Sequence, residues 1–123
     1  MESVQPRALQ LALIADRTEY QAGESARLTF TVANNGQEPL SLDFSSGQQF
    51  DLSVVDATGQ EVWRWSRGKF FTQAFTKLQL KPDEKKSFEG DWQAEGPTGR
   101  YQAKAWLTTP GATMLATATF AIR

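Results

Sequence analysis

Histidine and cysteine are both absent from the 123-residue sequence. Without them the chain has no disulfide framework, thiol nucleophile, Ser-His-Asp triad or ordinary zinc site. The carboxylates that are present do not follow a calcium-loop spacing, and a glycosidase-like pair needs a defined separation across a cleft that a sequence does not supply. We therefore expect a protein that is not an enzyme and that uses no metal or small-molecule cofactor.

The chain also lacks a strong net charge of either sign. Thirteen Lys and Arg stand against 14 Asp and Glu, for a formal net charge of -1. No overall positive field would draw the chain to phosphates, so nucleic-acid binding is not expected. The apolar stretch within MESVQPRALQLALIADRTEY is too short and too alternating for a signal peptide or a transmembrane segment. We expect a cytoplasmic protein, and a secreted or envelope location stays open if a leader has been removed.

Helical periodicity is the third absence, since no long stretch repeats its apolar residues with a 3.6-residue period. Apolar and polar residues alternate instead, as in ARLTFTVANN, where Leu28, Phe30 and Val32 fall on one face. Such alternation predicts strands with one buried face. The segments that show it are RALQLALIAD, ARLTFTVANN, LSLDF, FDLSVVD, EVWRW, KSFEGDW, RYQAKAWLT and TMLATATFAIR.

Turn residues separate these segments, and ATGQ is a short connection of the kind that joins hairpin strands. About seven or eight short strands favour two packed sheets, because an open sheet of that size would leave a face unburied. We predict an all-β protein, an immunoglobulin-like antiparallel β-sandwich of about seven to eight strands. The length suits one hydrophobic core, so residues 1–123 are expected to form a single domain.

Aromatic residues are concentrated in one stretch of the chain. Residues 45–75, SSGQQFDLSVVDATGQEVWRWSRGKFFTQAF, hold two Trp and four Phe together with three cations. On an extended strand Trp63 and Trp65 project to the same side, which favours burial of at least one of them. Arg64 then lies on the opposite side and is expected to be an ordinary surface charge.

Phe70 and Phe71 are adjacent, and adjacent residues on a strand point to opposite faces. If this segment is extended, the core can take only one of the two rings, and the other ring needs another cover. A neighbouring loop can provide that cover. A partner protein can provide it too, since exposed aromatics beside Arg67 and Lys69 have the composition of a protein-binding surface.

Positive charge is concentrated just after these aromatics. Residues 62–86 contain seven Lys and Arg and two Asp and Glu, a local balance of +5 in a chain of -1, which leaves -6 for the remainder. Such a separation can steer an acidic partner protein. It can equally be a solvated face without a specific role.

The aromatic stretch also carries a family resemblance. It runs as Ser-Gly-Gln, an aromatic residue and Asp, Asp-x-x-Gly, Glu-Val-Trp-Arg-Trp-Ser, Gly-Lys and Phe-Thr-Gln-Ala. These fall on Ser46, Gly47, Gln48, Phe50, Asp51, Asp56, Gly59, 61–66, Gly68, Lys69 and 71–74. The pattern resembles the signature of the bacterial intracellular proteinase inhibitor family, BsuPI, and flanking segments extend the resemblance over about residues 20–107. The sequence departs from the family pattern at Phe75, where an aliphatic residue is usual.

The resemblance implies an immunoglobulin-like fold and a proteinaceous inhibitor of a subtilisin-type intracellular serine protease, acting by binding without catalysis. On that basis we expect a loop over residues 66–71 to enter the protease cleft. The expected partner contacts are Arg67, Lys69, Phe70 and Phe71. The expected supporting residues are Trp63 and Trp65 beneath the loop, with Ser46, Gly47 and Gln48 from the shared motif.

Two other functions stay open. Similar domains occur as modules of larger bacterial proteins, so the resemblance implies the fold more strongly than the activity. One alternative is thus a structural or adhesive immunoglobulin-like module of a larger or envelope-associated protein. A carbohydrate-binding sandwich is the other alternative, and it requires Trp63, Trp65 or Trp106 to be exposed and coplanar.

Overall fold

Ten strands make up the regular structure of the described part of the chain. The structure is a computed structural model, and it describes residues 8–110 and 114–123. The strands are β1 (Leu9–Ala15), β2 (Glu19–Tyr20), β3 (Ser25–Asn34), β4 (Leu40–Phe44), β5 (Phe50–Val55), β6 (Glu61–Arg64), β7 (Thr76–Leu80), β8 (Lys85–Gln93), β9 (Gly99–Leu107) and β10 (Ala116–Ile122). Within these residues no helix is long and apolar enough to cross a membrane.

Each predicted segment contains a strand, and the prediction of an all-β protein is confirmed. Two strands, β2 and β7, are not among the predicted segments. Strand β2 has only two residues, whereas β7 alternates, with Leu78 and Leu80 buried and Lys77 exposed. The first and last predicted segments also include residues 7 and 113, which lie outside the described residues.

The strands form two larger sheets and one two-stranded sheet. The first sheet has the order β1-β3-β8, the second has the order β2-β10-β9-β5-β6, and β4 pairs with β7. Strand β5 is antiparallel to both of its neighbours, β6 and β9. The ATGQ connection joins β5 to β6 as predicted, and in it Gly59 has a φ of 89°, which favours glycine.

The hydrophobic core lies between the two larger sheets. On β3, Leu28, Phe30 and Val32 have no exposed surface, as their alternation predicts, and Leu52 and Val54 of β5 are equally buried. Removing a side chain of this size from water contributes about 1.5–3 kcal/mol. The alternating strands therefore hold the sandwich together through one apolar face each.

Gly90 on β8 allows a close approach between the two sheets. A Cβ atom at this position would lie 2.7 Å from Leu52 Cδ1 and 2.8 Å from Trp65 Cδ1. Both distances are shorter than ordinary carbon contacts, so any larger residue would displace one of these side chains. The absence of a side chain at Gly90 thus leaves room for Trp65 directly after β6.

Strand β5 is buried on both faces, unlike the alternating strands. Asp51 and Ser53 are each 3% exposed, and their cross-strand neighbours are Trp106 on β9 and Arg64 on β6. The Arg64 guanidinium carbon lies 5.1 Å from the centroid of the Trp106 ring. The expectation that Arg64 is an ordinary surface charge is therefore wrong, because this side chain stacks on Trp106 beside the buried polar residues of β5.

Candidate functional site

The chain between β6 and β7, residues 65–75, is referred to below as the aromatic loop. It leaves β6 through tight turns, in which Lys69 N–H donates to Ser66 C=O at 3.1 Å. Gly68 has a φ of 82° within these turns, a conformation that costs residues other than glycine about 1 kcal/mol or more. The predicted residues 66–71 therefore form a turned loop and not the extended strand that the sequence also allowed.

A buried carboxylate fixes the start of the aromatic loop. Asp51 Oδ2 accepts a hydrogen bond from Ser66 Oγ at 2.6 Å, and Asp51 Oδ1 accepts one from Ser66 N–H at 3.1 Å. The Leu52 N–H also donates to Oδ1, at 2.9 Å. Hydrogen bonds to an ionised acceptor are stronger than neutral ones, so this residue attaches the loop to β5.

Asp51 was not predicted to be a site residue, although it belongs to the motif that carries the resemblance. A signal was available, because aspartate is depleted in strands, and here it stands within the apolar alternation of FDLSVV. An acidic residue at such a position needs hydrogen-bond donors from another segment. Which segment provides them is a matter of tertiary structure.

The segment before β5 fixes the other end of the aromatic loop. Gly47 N–H donates to Thr72 C=O at 2.9 Å, and Thr76 Oγ1 donates to Ser46 C=O at 2.7 Å. A Cβ atom at Gly47 would lie 2.8 Å from Thr72 Oγ1, so the close approach of the two backbones requires glycine. Ser46 and Gly47 thus hold the distal part of the loop through these hydrogen bonds, and their role in supporting a partner contact stays a prediction.

Gln48 stabilises the same segment from within. Its side-chain amide donates to Phe50 C=O at 3.1 Å, and its backbone C=O accepts a hydrogen bond from Thr108 Oγ1 at 2.7 Å. The bond to Thr108 joins the segment to the end of β9. Gln48 therefore stabilises the segment that carries Ser46 and Gly47.

A series of aromatic rings joins the aromatic loop to the core. The Trp65 ring is between Phe50, at 4.2 Å between centroids, and Phe71, at 5.8 Å. Phe50 in turn stacks on Phe88 of β8 at 4.4 Å. Trp63 is half-buried against the core. Trp65 therefore connects Phe71 of the loop to the core, whereas Trp63 packs against the core itself. The supporting role predicted for the two tryptophans stays a prediction.

The two adjacent phenylalanines have different environments. Phe71 is half-buried beside Trp65, whereas Phe70 is 98% exposed and Phe75 is 85% exposed. One of the two adjacent rings was expected to need a cover other than the core, and Phe70 is the ring that lies outside the core. Two large apolar side chains of one loop are thus mostly exposed, which makes the loop a candidate interaction surface.

Both cations of the aromatic loop are engaged within the chain. Arg67 Nη2 lies 3.0 Å from Glu61 Oε2, and Lys69 Nζ lies 4.9 Å from the centroid of the Trp65 ring. Glu61 also accepts a hydrogen bond from Arg64 at 2.7 Å, and this bond is the main cause of a lowered pKa for Glu61. Arg67 and Lys69 are therefore exposed but already have partners within the chain, whereas the Phe70 side chain is almost wholly exposed.

The positive segment 62–86 is less unbalanced in three dimensions than along the chain. Arg64 and Arg67 pair with Glu61, and Lys77 pairs with Asp43 at 2.9 Å, so acids from outside the segment offset part of its charge. Steering of an acidic partner by this segment stays a prediction.

Neither metal chemistry nor carbohydrate stacking gains support from the arrangement. Among the described residues, no group of three or more His, Cys, Asp and Glu side chains is placed to hold a metal ion. Trp63 and Trp65 pack against the core, and Arg64 lies over Trp106. The exposed coplanar rings that a carbohydrate platform requires are not formed by these three tryptophans.

The fold and the site define a β-sandwich that presents one anchored loop with exposed aromatic side chains. Residues 13–112 match the family described as BsuPI, intracellular proteinase inhibitor. The chain belongs to this family of proteinase inhibitors, and the suspected resemblance is confirmed. No curated protein matches the chain.

Solved structures with the same fold come from functionally diverse proteins. The CARDB domain of a Pyrococcus furiosus protein, determined with di-metal ions, is 16% identical and has a TM-score of 0.56, with 93% of this chain and 91% of that chain covered. Spo0M, a sporulation control protein from Bacillus subtilis, is 15% identical with a TM-score of 0.55, and the match covers 94% of this chain and 48% of Spo0M. A β-glucosidase from Erythrobacter marinus is 14% identical with a TM-score of 0.56, and 94% of this chain covers 15% of that enzyme.

At identities this low, structural similarity shows the fold alone. The similarity confirms the predicted immunoglobulin-like β-sandwich. The chain spans only 15% and 30% of the first two matched structures, the β-glucosidase and a DNA glycosylase. The chemistry of those enzymes therefore says nothing about the aromatic loop.

Proposed function

We propose that this protein inhibits a subtilisin-type serine protease by placing the aromatic loop in the protease cleft, where it acts by binding without catalysis. The observation that carries the proposal is Phe70, which is 98% exposed on a loop fixed at both ends. Membership of the proteinase inhibitor family makes a protease the partner. The choice of a subtilisin-type enzyme rests on the family resemblance.

The anchoring of the loop supports inhibition by tight binding. A flexible segment that becomes ordered on binding loses about 0.5–1.5 kcal/mol for each immobilised side chain, and a segment held in advance loses less. The Asp51–Ser66 and Gly47–Thr72 hydrogen bonds hold the two ends. The segment 66–71 is therefore the proposed contact, with Trp63 and Trp65 as its support.

The predicted contact residues have different roles in this proposal. Phe70 reaches the partner directly, whereas Phe71 supports the loop through Trp65. Arg67 and Lys69 lie at the rim, each held by a contact within the chain. The family description as intracellular supports a cytoplasmic location, and we propose that residues 1–123 act as a single domain.

The experiment is a titration of a purified subtilisin-type protease with this protein, while hydrolysis of a chromogenic peptide is followed. We expect activity to fall in proportion to added protein until one equivalent is present, with the protein intact on a gel. The same titration is made with the double variant Lys69→Ala and Phe70→Ala. This variant removes exposed contacts of the loop and leaves its anchors. Full protease activity at micromolar excess, or rapid digestion of the protein, would refute the proposal and favour the structural or adhesive module.

A further inference from the structure

We infer that Phe70 selects the target, and that the partner protease has an apolar primary specificity pocket wide enough for an aromatic ring. The inference rests on the proposed function and adds the class of protease. It starts from the difference between Phe70 and the other side chains of the aromatic loop. The side chains differ in whether they already make contacts within the chain.

The basic side chains of the loop are poorly placed to enter a pocket. For Arg67 to extend outward it must leave Glu61, which it contacts at 3.0 Å, and for Lys69 to extend it must leave the Trp65 ring. Each movement gives up a charge-assisted or cation–π contact and orders a long side chain elsewhere. A protease that requires Lys or Arg in its pocket is therefore a poor match for this loop.

The aromatic side chains are distinguished by their position relative to the two anchors. Phe70 lies between Ser66, which is held by Asp51, and Thr72, which is held by Gly47. Phe71 lies between the same anchors, but its ring packs beside Trp65. Phe75 is exposed too and lies between the held residues Thr72 and Thr76, but it is outside the segment 66–71 that is proposed to enter the cleft. Phe70 thus combines a fixed backbone with a free side chain.

A side chain of this kind matches the usual energetics of protein interfaces. Large aromatic residues that fill a partner's pocket account for much of the binding free energy, and their truncation often costs a factor of about 30 or more in affinity. At 98% exposure the Phe70 ring has nearly its whole surface available for such burial. An apolar pocket is the complementary surface.

The test measures inhibition constants against two serine proteases, one that cleaves after aromatic residues and one that cleaves after Lys and Arg. The variants are Phe70→Ala, Phe70→Lys and, as the matched control, Phe75→Ala, each checked for the native far-ultraviolet circular dichroism. We expect the unaltered protein to inhibit the aromatic-specific enzyme more strongly. Phe70→Ala is expected to raise that inhibition constant by about 30-fold or more, and Phe75→Ala by less than about 5-fold.

Phe70→Lys provides an independent readout, because it should weaken inhibition of the aromatic-specific enzyme and strengthen inhibition of the basic-specific one. Stronger inhibition of the basic-specific enzyme by the unaltered protein would overturn the inference. Equal inhibition by Phe70→Ala and the unaltered protein would also overturn it, while the inhibitor function would stand. If the unaltered protein inhibits neither of these enzymes nor the subtilisin-type protease of the titration above, the proposed function and this inference both fail.

Discussion

Asp51 connects the two properties on which the account depends, a rigid sheet and a positioned loop. It is 3% exposed and accepts hydrogen bonds from Ser66 and Leu52. A buried acceptor of this kind is costly to remove, because the donors that it satisfies are then left without partners. The residue is therefore important for stability and for the geometry of the aromatic loop.

Replacement of Asp51 by Ala is expected to lower the free energy of unfolding by about 1–3 kcal/mol and to weaken protease inhibition. Asp51→Asn should have a smaller effect, since its amide oxygen can still accept from Ser66 N–H and Leu52 N–H. Urea unfolding and inhibition titrations check both variants. The control is Asp43→Ala, which removes a 74% exposed partner of Lys77 and should cost less than about 1 kcal/mol. Equal stability of Asp51→Ala and the unaltered protein would contradict this role.

Because of Tyr20, the stability of the protein depends on pH in the alkaline range. Burial of its ring, together with the hydrogen bond that its hydroxyl donates to Asp16, raises the pKa of Tyr20 to about 12. The unfolded chain loses this proton near pH 10, whereas the folded chain keeps it until about pH 12. Stability from this group is thus complete below pH 10 and is lost as the pH rises through the interval from 10 to 12.

The prediction concerns the difference between the unaltered protein and Tyr20→Phe. Between pH 10 and pH 12 the unaltered protein should lose stability more steeply than the variant, by up to about 1.4 kcal/mol per pH unit. Urea unfolding near pH 9 and near pH 11 measures both slopes, and Tyr101 is present in both proteins. Parallel pH profiles for the two proteins would show that Tyr20 does not titrate in this way.

At the scale of the strands, β8 determines whether the aromatic loop keeps its support. A Cβ atom at Gly90 would come within 2.8 Å of Trp65 Cδ1 and 2.7 Å of Leu52 Cδ1. Overpacking of a filled core usually costs about 1–3 kcal/mol. Because Trp65 contacts Phe71, displacement of the tryptophan would also move the loop.

Gly90→Ala is therefore expected to destabilise the protein by about 1–3 kcal/mol and to weaken inhibition by more than its unfolded fraction explains. The neighbouring variant Glu89→Ala changes an exposed position of the same strand and is the control. Chemical unfolding gives the stability, and inhibition is measured well below the transition. If Gly90→Ala inhibits as strongly as the control at equal folded concentration, Trp65 does not position the loop.

The strands differ in how well they could be predicted from the sequence. Alternation in β3 predicts both the strand and its buried face, because Leu28, Phe30 and Val32 satisfy one simple rule. The same rule applies to β7, but its five residues follow the aromatic loop without a strong turn signal. It fails in β5, where Asp51 is buried by residues of other strands.

The aromatic loop could be predicted as a site by composition but not by geometry. Adjacency indicated that one of Phe70 and Phe71 needs a separate cover, and the structure identifies Phe70. Its two anchors come from residues before β5 and within β5, which approach the loop only after the sheets have formed. Local pattern carries no information on such tertiary hydrogen bonds.

For the whole molecule, the central claim is that the sandwich is a rigid support for a loop that occupies a protease cleft. The most direct measurement is isothermal titration calorimetry of the protein with a subtilisin-type protease, free and with its cleft filled by a covalently attached peptidyl chloromethyl ketone. We predict that the protein binds the free enzyme and that this binding is lost when the cleft is filled. Equal affinity for the free and the blocked protease would contradict it.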